Sequence, residues 1–153
     1  MALAAEFQGF ARDLHDDGIS ALLSAHEDGG LVPATLIAVV KPLMTSNRRI
    51  DRGNPDPSAL GEDFGRFGLS WWTALAAHDP LTPSRQEHLQ RLTIARNGIA
   101  HADENKLDRL RADGFPMTLH TVRRWHRAVD RLTVTMDSTL RDHLGEVFGK
   151  DIK

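Results

Sequence analysis

Arg96 and His101 stand five residues apart in the hexad Arg96-Asn97-Gly98-Ile99-Ala100-His101. The pair joins a permanent cation to an imidazole that titrates near neutral pH. Those two groups are close to the minimum equipment for cutting RNA without a metal. The imidazole moves protons, and the guanidinium holds a phosphate and stabilises the charge it gains. Asn97 can orient the phosphate or the imidazole. The candidate catalytic residues are therefore Arg96, Asn97 and His101.

Other chemistries find less in the sequence. The eight histidines, His15, His26, His78, His88, His101, His120, His126 and His143, contain no i, i+4 pair. There is no His-Glu-x-x-His and no cysteine, so no metal site and no cofactor is expected. Asp103 is read as a helix cap. Two basic clusters are candidate RNA contacts: Arg48, Arg49 and Arg52 in a loop, and Arg123, Arg124 and Arg127 around Trp125. Solvated surface is the plainer reading of both. Arg12 and Asp13 are candidates for supporting the site, with Asp13 a partner for Arg96.

The elements that must position these groups read as helices. Leu3, Phe7, Phe10, Leu14 and Leu22 recur at helical spacing over residues 3–26, with Gly18 marking a kink or a close contact and Gly29-Gly30 a stop. Pro33 opens a second helix to about Thr45, apolar on most sides and so expected in the centre. Its β-branched residues also permit a strand. Residues 46–57 read as a polar connection ending in the Gly53-Asn54-Pro55 turn. From Ser58 to Ala77 a stripe of Leu60, Phe64, Phe67, Trp71 and Leu75 puts five large groups on one helical face. Trp72 lies off that stripe and is a candidate for a dimer contact. Thr82-Pro83 starts the helix that carries the hexad, with threonine as its cap. Asp103 caps a short helix that Gly114 stops. The longest helix, about 118–148, carries Val122, Trp125, Val129, Leu132, Met136, Leu140, Leu144 and Val147 in a near-heptad stripe. The expected fold is an all-α bundle of four to five main helices plus short ones, in a single domain over 1–153.

On a helical wheel Leu92, Ala95, Ile99 and Ala102 form the core face of the hexad helix. Arg96 flanks that face, whereas Ile94, Asn97 and His101 make a second face directed away. Arg96 and His101 diverge by about 140°. A two-fold dimer would bring both arginines and both histidines into one cleft, so a composite site is expected.

The net charge of −2 gives no global footprint for nucleic acid, so local patches must attract it. No apolar run is long enough to span a membrane, and the N-terminus lacks a basic leader. A cytoplasmic protein without membrane contact is expected.

The hexad resembles the Arg-x4-His signature of HEPN domains, and in particular the form found in the RiboL-PSP-HEPN group. The Phe7–His15 stretch, the Gly53-Asn54-Pro55 segment, the Phe64–Leu69 segment and a long helix after the motif agree in outline. The resemblance implies a HEPN-like helical bundle, often a homodimer, in which Arg96, Asn97 and His101 serve a metal-independent endoribonuclease. It implies toxin–antitoxin, phage-defence or RNA-processing settings, with RNA and an antitoxin or regulatory protein as partners. The alternative within the same family is a non-catalytic module that binds RNA or protein.

Overall fold

The computed structural model describes residues 2–29, 34–53 and 56–148. These residues form eight α-helices and one 3-10 turn, with no strand among them. The helices are α1 (Ala2–Gly29), α2 (Ala34–Thr45), α3 (Arg49–Arg52), α4 (Pro57–Phe64), α5 (Trp71–His78), α6 (Thr82–Ala100), α7 (Glu104–Ala112) and α8 (Leu119–Phe148), with the 3-10 turn at Gly65–Phe67. The fold is an all-α bundle, as expected. None of the helices is long and apolar enough to cross a membrane. The Gly30 stop, the Pro33 start and the Asn54-Pro55 turn lie outside the described residues.

Three long helices, α1, α6 and α8, make the frame. Trp125, Val129, Leu132, Met136, Leu140 and Leu144 recur every three or four residues along α8, and all are buried. That stripe meets Phe7, Ala11 and Leu14 of α1 and Leu89 and Leu92 of α6 in one core. Val122 and Val147, at the ends of the predicted stripe, are exposed. Gly18 is a point of close approach, because a Cβ there would stand 2.8 Å from both Leu140 and Phe67.

The aromatic stripe of 58–77 is buried at all five positions, but the chain reaches them by two helices and the 3-10 turn between them instead of one helix. The break follows from Gly65 and Gly68, the latter in the left-handed region at φ +86°. Folding back lets Phe64 stack on Trp71 at 4.3 Å between ring centroids. Trp72, a candidate above for a dimer contact, donates its Nε1–H to the Pro57 carbonyl at 2.8 Å within the same chain.

The expected central position of α2 is not found. It is helical, but Leu36, Val39 and Leu43 are about half exposed or more. Its C-terminal carbonyls are taken by Arg66, whose Nη1 donates to Met44 O and Ser46 O, each at 2.9 Å. That clamp holds α2 at the rim by its polar end. The following connection is not simply a loop, because Arg49–Arg52 forms the short helix α3.

Candidate functional site

The start of α6 is tied down in a way that its Thr82-Pro83 signal foreshadows only in part. Asp79 Oδ1 accepts the Leu81 N–H at 2.9 Å, and the Thr82 hydroxyl donates to Leu75 O at 3.0 Å. Threonine thus anchors α6 to α5, and Asp79 does the capping. The Leu81 N–H and Arg85 hold the Asp79 carboxyl below the usual range.

The end of α6 falls inside the hexad and decides where its groups point. His101 is the C-cap, with its N–H bonded to Asn97 O at 3.1 Å. Ala102 turns into the left-handed region at φ +49°. Its N–H reaches Ile99 O, and the Asp103 N–H reaches Gly98 O at 2.8 Å, closing a Schellman motif. Asp103 then caps α7, as its position predicts. Oδ1 accepts the Lys106 N–H and Oδ2 pairs with Lys106 Nζ at 2.9 Å, which keeps its carboxyl below the ordinary value. Two helices therefore meet at a fixed corner, and His101 stands exposed on it.

Arg96 lies one turn and a little more before this corner, half-buried. It forms part of the wall of a small apolar cavity of about 60 Å³ with Leu3, Ala4, Leu92, Val122 and Trp125. Its Nη1 donates to Asn97 Oδ1 at 3.4 Å. Among the described residues no carboxylate pairs with it. Among the described residues its charge is therefore not cancelled.

The wheel reading of α6 holds for Leu92 and Ala95, which are buried together with Leu89, and fails beyond them. Ile99 is 43% exposed and Ala102 lies on the surface, whereas Gly98 is buried. The reason is α7, which folds back onto the Gly98 side and leaves the Ile99 side open. Ile94, assigned above to the outward face, packs partly against the core. Ile99, Met117 and Val122, each at least 40% exposed, surround the mouth of the Arg96 cavity with apolar surface.

The other candidate residues are dispersed. Arg12 donates to Ile50 O at 3.3 Å and pairs with Asp51, so it fastens α1 to α3. Asp13 is exposed, and neither residue touches Arg96. Arg48 is corrected from an RNA contact to a structural group. It is 8% exposed, bound to Asp16 and Asp51, and donates to His15 Nδ1 at 3.2 Å. Burial opposes its charge, but Asp51 and Asp16 more than offset that and raise its pKa above the ordinary value. Arg49 is engaged by Glu62, Asp56 and Ser58, and Arg52 by Asn47. Arg123 and Arg127 are exposed, and Arg124 is half-buried beside His88 at 3.3 Å.

Sequence reasoning missed the polar centre under Arg48. His15, fully buried, donates from Nε2 to Asp63 O at 3.1 Å while Nδ1 accepts from Arg48. The two bonds select the neutral Nε2–H tautomer. Phe64 and Phe67 pack around the ring at 5.3 and 5.0 Å. Burial, reinforced by the Arg48 charge, pushes the imidazole below its usual value although the Asp63 backbone bond opposes this. Asp63 in turn accepts the Ile50 N–H at 2.8 Å, so the centre joins α1, α3 and α4. The signal was present in the steps of four from Phe7 through Ala11 to His15, which put the histidine on the buried face. A histidine there must be satisfied internally.

Among the described residues no group of three or more His, Asp or Glu side chains is arranged to hold a metal ion. No protein-family model matches the chain, and no curated protein or solved structure is significantly similar to it.

Proposed function

We propose that the protein is a HEPN-like, metal-independent endoribonuclease that works as a homodimer. The observation that carries this reading is a half-buried Arg96, without a carboxylate partner among the described residues, beside an exposed His101 at the same helix end. An arginine left un-neutralised beside an apolar opening is suited to a phosphate that arrives from outside.

In the proposed reaction the RNA 2′-hydroxyl attacks the adjacent phosphorus. The 2′-O–P bond forms, the P–O5′ bond breaks, and the product ends in a 2′,3′-cyclic phosphate. One His101 takes the 2′-hydroxyl proton as general base, and the departing O5′ takes its proton from solvent water. Arg96 binds the non-bridging oxygens and stabilises their added charge in the transition state. Asn97, hydrogen-bonded to Arg96, orients the guanidinium. The apolar rim of Ile99, Met117 and Val122 supports the dimer, because such a surface gains by pairing with its own copy.

The test is incubation of purified protein with RNA in EDTA. Cleavage to 2′,3′-cyclic phosphate ends, lost in His101→Ala and in Arg96→Ala, is the expected result. No cleavage by the wild-type chain, or cleavage that survives His101→Ala, refutes it. A second reading, a non-catalytic module that binds protein, is favoured by one observation only. The exposed Leu36, Val39 and Leu43 of α2 offer a partner an apolar face away from the hexad. A neutralising antitoxin or other regulatory protein would fit that surface in a toxin or phage-defence setting.

A further inference from the structure

The N-terminal half of α6 and the start of α8 enclose a groove of about 330 Å³, separate from the Arg96 cavity. Ser84, Arg85 and His88 line one wall, and Arg124 and Arg127 the other. We propose that this groove is a second phosphate-binding site, which holds the backbone of RNA. It lies about 12 Å along α6 from Arg96, since His88 is eight steps of helix before it. The choice of RNA rests on the nuclease reading, whereas the choice of a phosphodiester rests on the groove itself.

Charge is the first argument. Among the described residues no carboxylate pairs with Arg124, Arg127 or the neighbouring Arg123. The nearby acids are occupied or turned elsewhere. Asp79 is held by Arg85, and Glu87 pairs with Arg91. Asp130 lines a different groove with Leu3 and His126. A chain with a net charge of −2 has here a local surplus of unpaired cations.

Preorganisation is the second. Arg124 lies over the Phe115 ring at 5.5 Å, with Arg91 over the same ring at 5.3 Å. The His88 ring meets Phe115 edge-on at 5.7 Å. Its Nδ1–H donates to Ser84 O at 2.7 Å, which leaves Nε2 to accept from Arg124 at 3.3 Å. The Arg124 fork is thus steered from two sides before any ligand arrives. An unpaired, fixed guanidinium beside a second arginine recognises a tetrahedral anion in two-pronged fashion. An acidic protein would also need an apolar centre to dock on, and Leu81 is the only exposed large apolar residue lining the groove.

The test uses the full chain with His101→Ala, which binds without cutting, and a fluorescent 20-nucleotide single-stranded RNA. Anisotropy is read over a salt series with and without Arg124→Gln and Arg127→Gln, with circular dichroism to confirm folding. Two lost phosphate contacts predict roughly tenfold weaker binding at low salt and a salt slope shallower by about 1.4. Single-stranded DNA should lose affinity in the same proportion, because the groove reads phosphates. Unchanged RNA affinity and slope, or no RNA binding at all, overturns the proposal. Polyglutamate competing as well as RNA overturns it in favour of an acidic partner. Displacement by micromolar inorganic phosphate overturns it in favour of a small-ion site. Failure of the two readings is separable. Wild-type protein that does not cleave but loses binding on these substitutions refutes the nuclease alone, whereas cleavage with unaltered binding refutes the groove alone.

Discussion

Gly98 lies directly beneath Leu107: a Cβ on residue 98 would stand 2.8 Å from Leu107 Cδ2 and 3.2 Å from its Cγ. The third residue of the hexad is therefore the seat on which α7 rests, and the seat fixes the corner that presents His101. An alanine gains about 1 kcal/mol in helix propensity there but meets an overpacking cost of about 1–3 kcal/mol. Gly98→Ala is expected to destabilise by about 1 kcal/mol and Gly98→Val by about 3, measured by urea unfolding. A Gly98→Val protein as stable as wild type would show that α7 does not pack as described.

Ala102 gives a prediction of opposite sign. It occupies the left-handed position of the Schellman motif at φ +49°, where a side chain costs about 1 kcal/mol and glycine costs nothing comparable. Ala102→Gly is expected to raise stability by about 1 kcal/mol. Because His101 is the adjacent C-cap, cleavage by this variant should not exceed that of the wild type. A lower melting temperature would contradict the turn geometry.

The His15 centre makes stability depend on pH. Its imidazole is neutral in the folded chain with a pKa lowered from 6.5 by burial and Arg48, so the unfolded chain binds the proton more readily. Stability must then fall as pH drops below about 6.5, with a slope of up to about 1.4 kcal/mol per unit, until the folded value is reached. Asp79 and Asp103, whose carboxyls are held below 3.8, add losses only at lower pH. In His15→Gln the slope between about pH 5 and 6.5 should flatten, whatever that variant's absolute stability. An unchanged slope would remove His15 as its source.

What the sequence made legible follows from what each residue can signal alone. The α8 seam and the Asp103 cap depend on spacing within one helix, and both stand in the structure. The break at Gly65 and Gly68 was marked by the glycines themselves, whereas the edge position of α2 depends on which surfaces other helices leave uncovered. An apolar helix does not announce that it lies at the rim. Arg48 illustrates the same limit for function. Read as one of three loop cations, it turns out to be fixed by Asp16 from 32 residues away in the chain, a partner that no local window contains. Ile99 was assigned to the core by its angle and is exposed because α7 covers the opposite, Gly98 side of this end of α6. The hexad itself was legible as chemistry because its residues are neighbours on one helix.

Arg48 can now be tested as scaffold. Removing it would leave Asp16, Asp51 and the His15 acceptor without their common donor, and the loss of one partner from a buried ion pair costs about 3–5 kcal/mol. Because Asp16 and Asp51 are partly exposed, Arg48→Met is expected near the lower end of that range. Its RNA affinity, measured well below the melting temperature, should equal that of wild type. Reduced RNA binding by a folded Arg48→Met protein would restore the discarded role.

The composite site predicts rescue between inactive chains. On a helix ending at Ala100, Arg96 and His101 diverge by about 140°, too far for both to face one phosphate from the same protomer without help. If a cleavage site draws Arg96 from one protomer and His101 from the other, a heterodimer of Arg96→Ala and His101→Ala chains keeps one complete pair. The other pair in that heterodimer loses both groups. Refolding the two variants together in equal amounts makes half of the dimers mixed, each with one intact pair. About a quarter of wild-type cleavage should therefore return, although each variant alone is inactive. Ile99→Asp, which puts a charge on the apolar rim, should abolish both the rescue and the dimer elution volume while leaving the helical CD signal. Absence of rescue between variants that demonstrably form mixed dimers would show that the pair acts within one chain, and that Arg96 swings around α6 to reach His101.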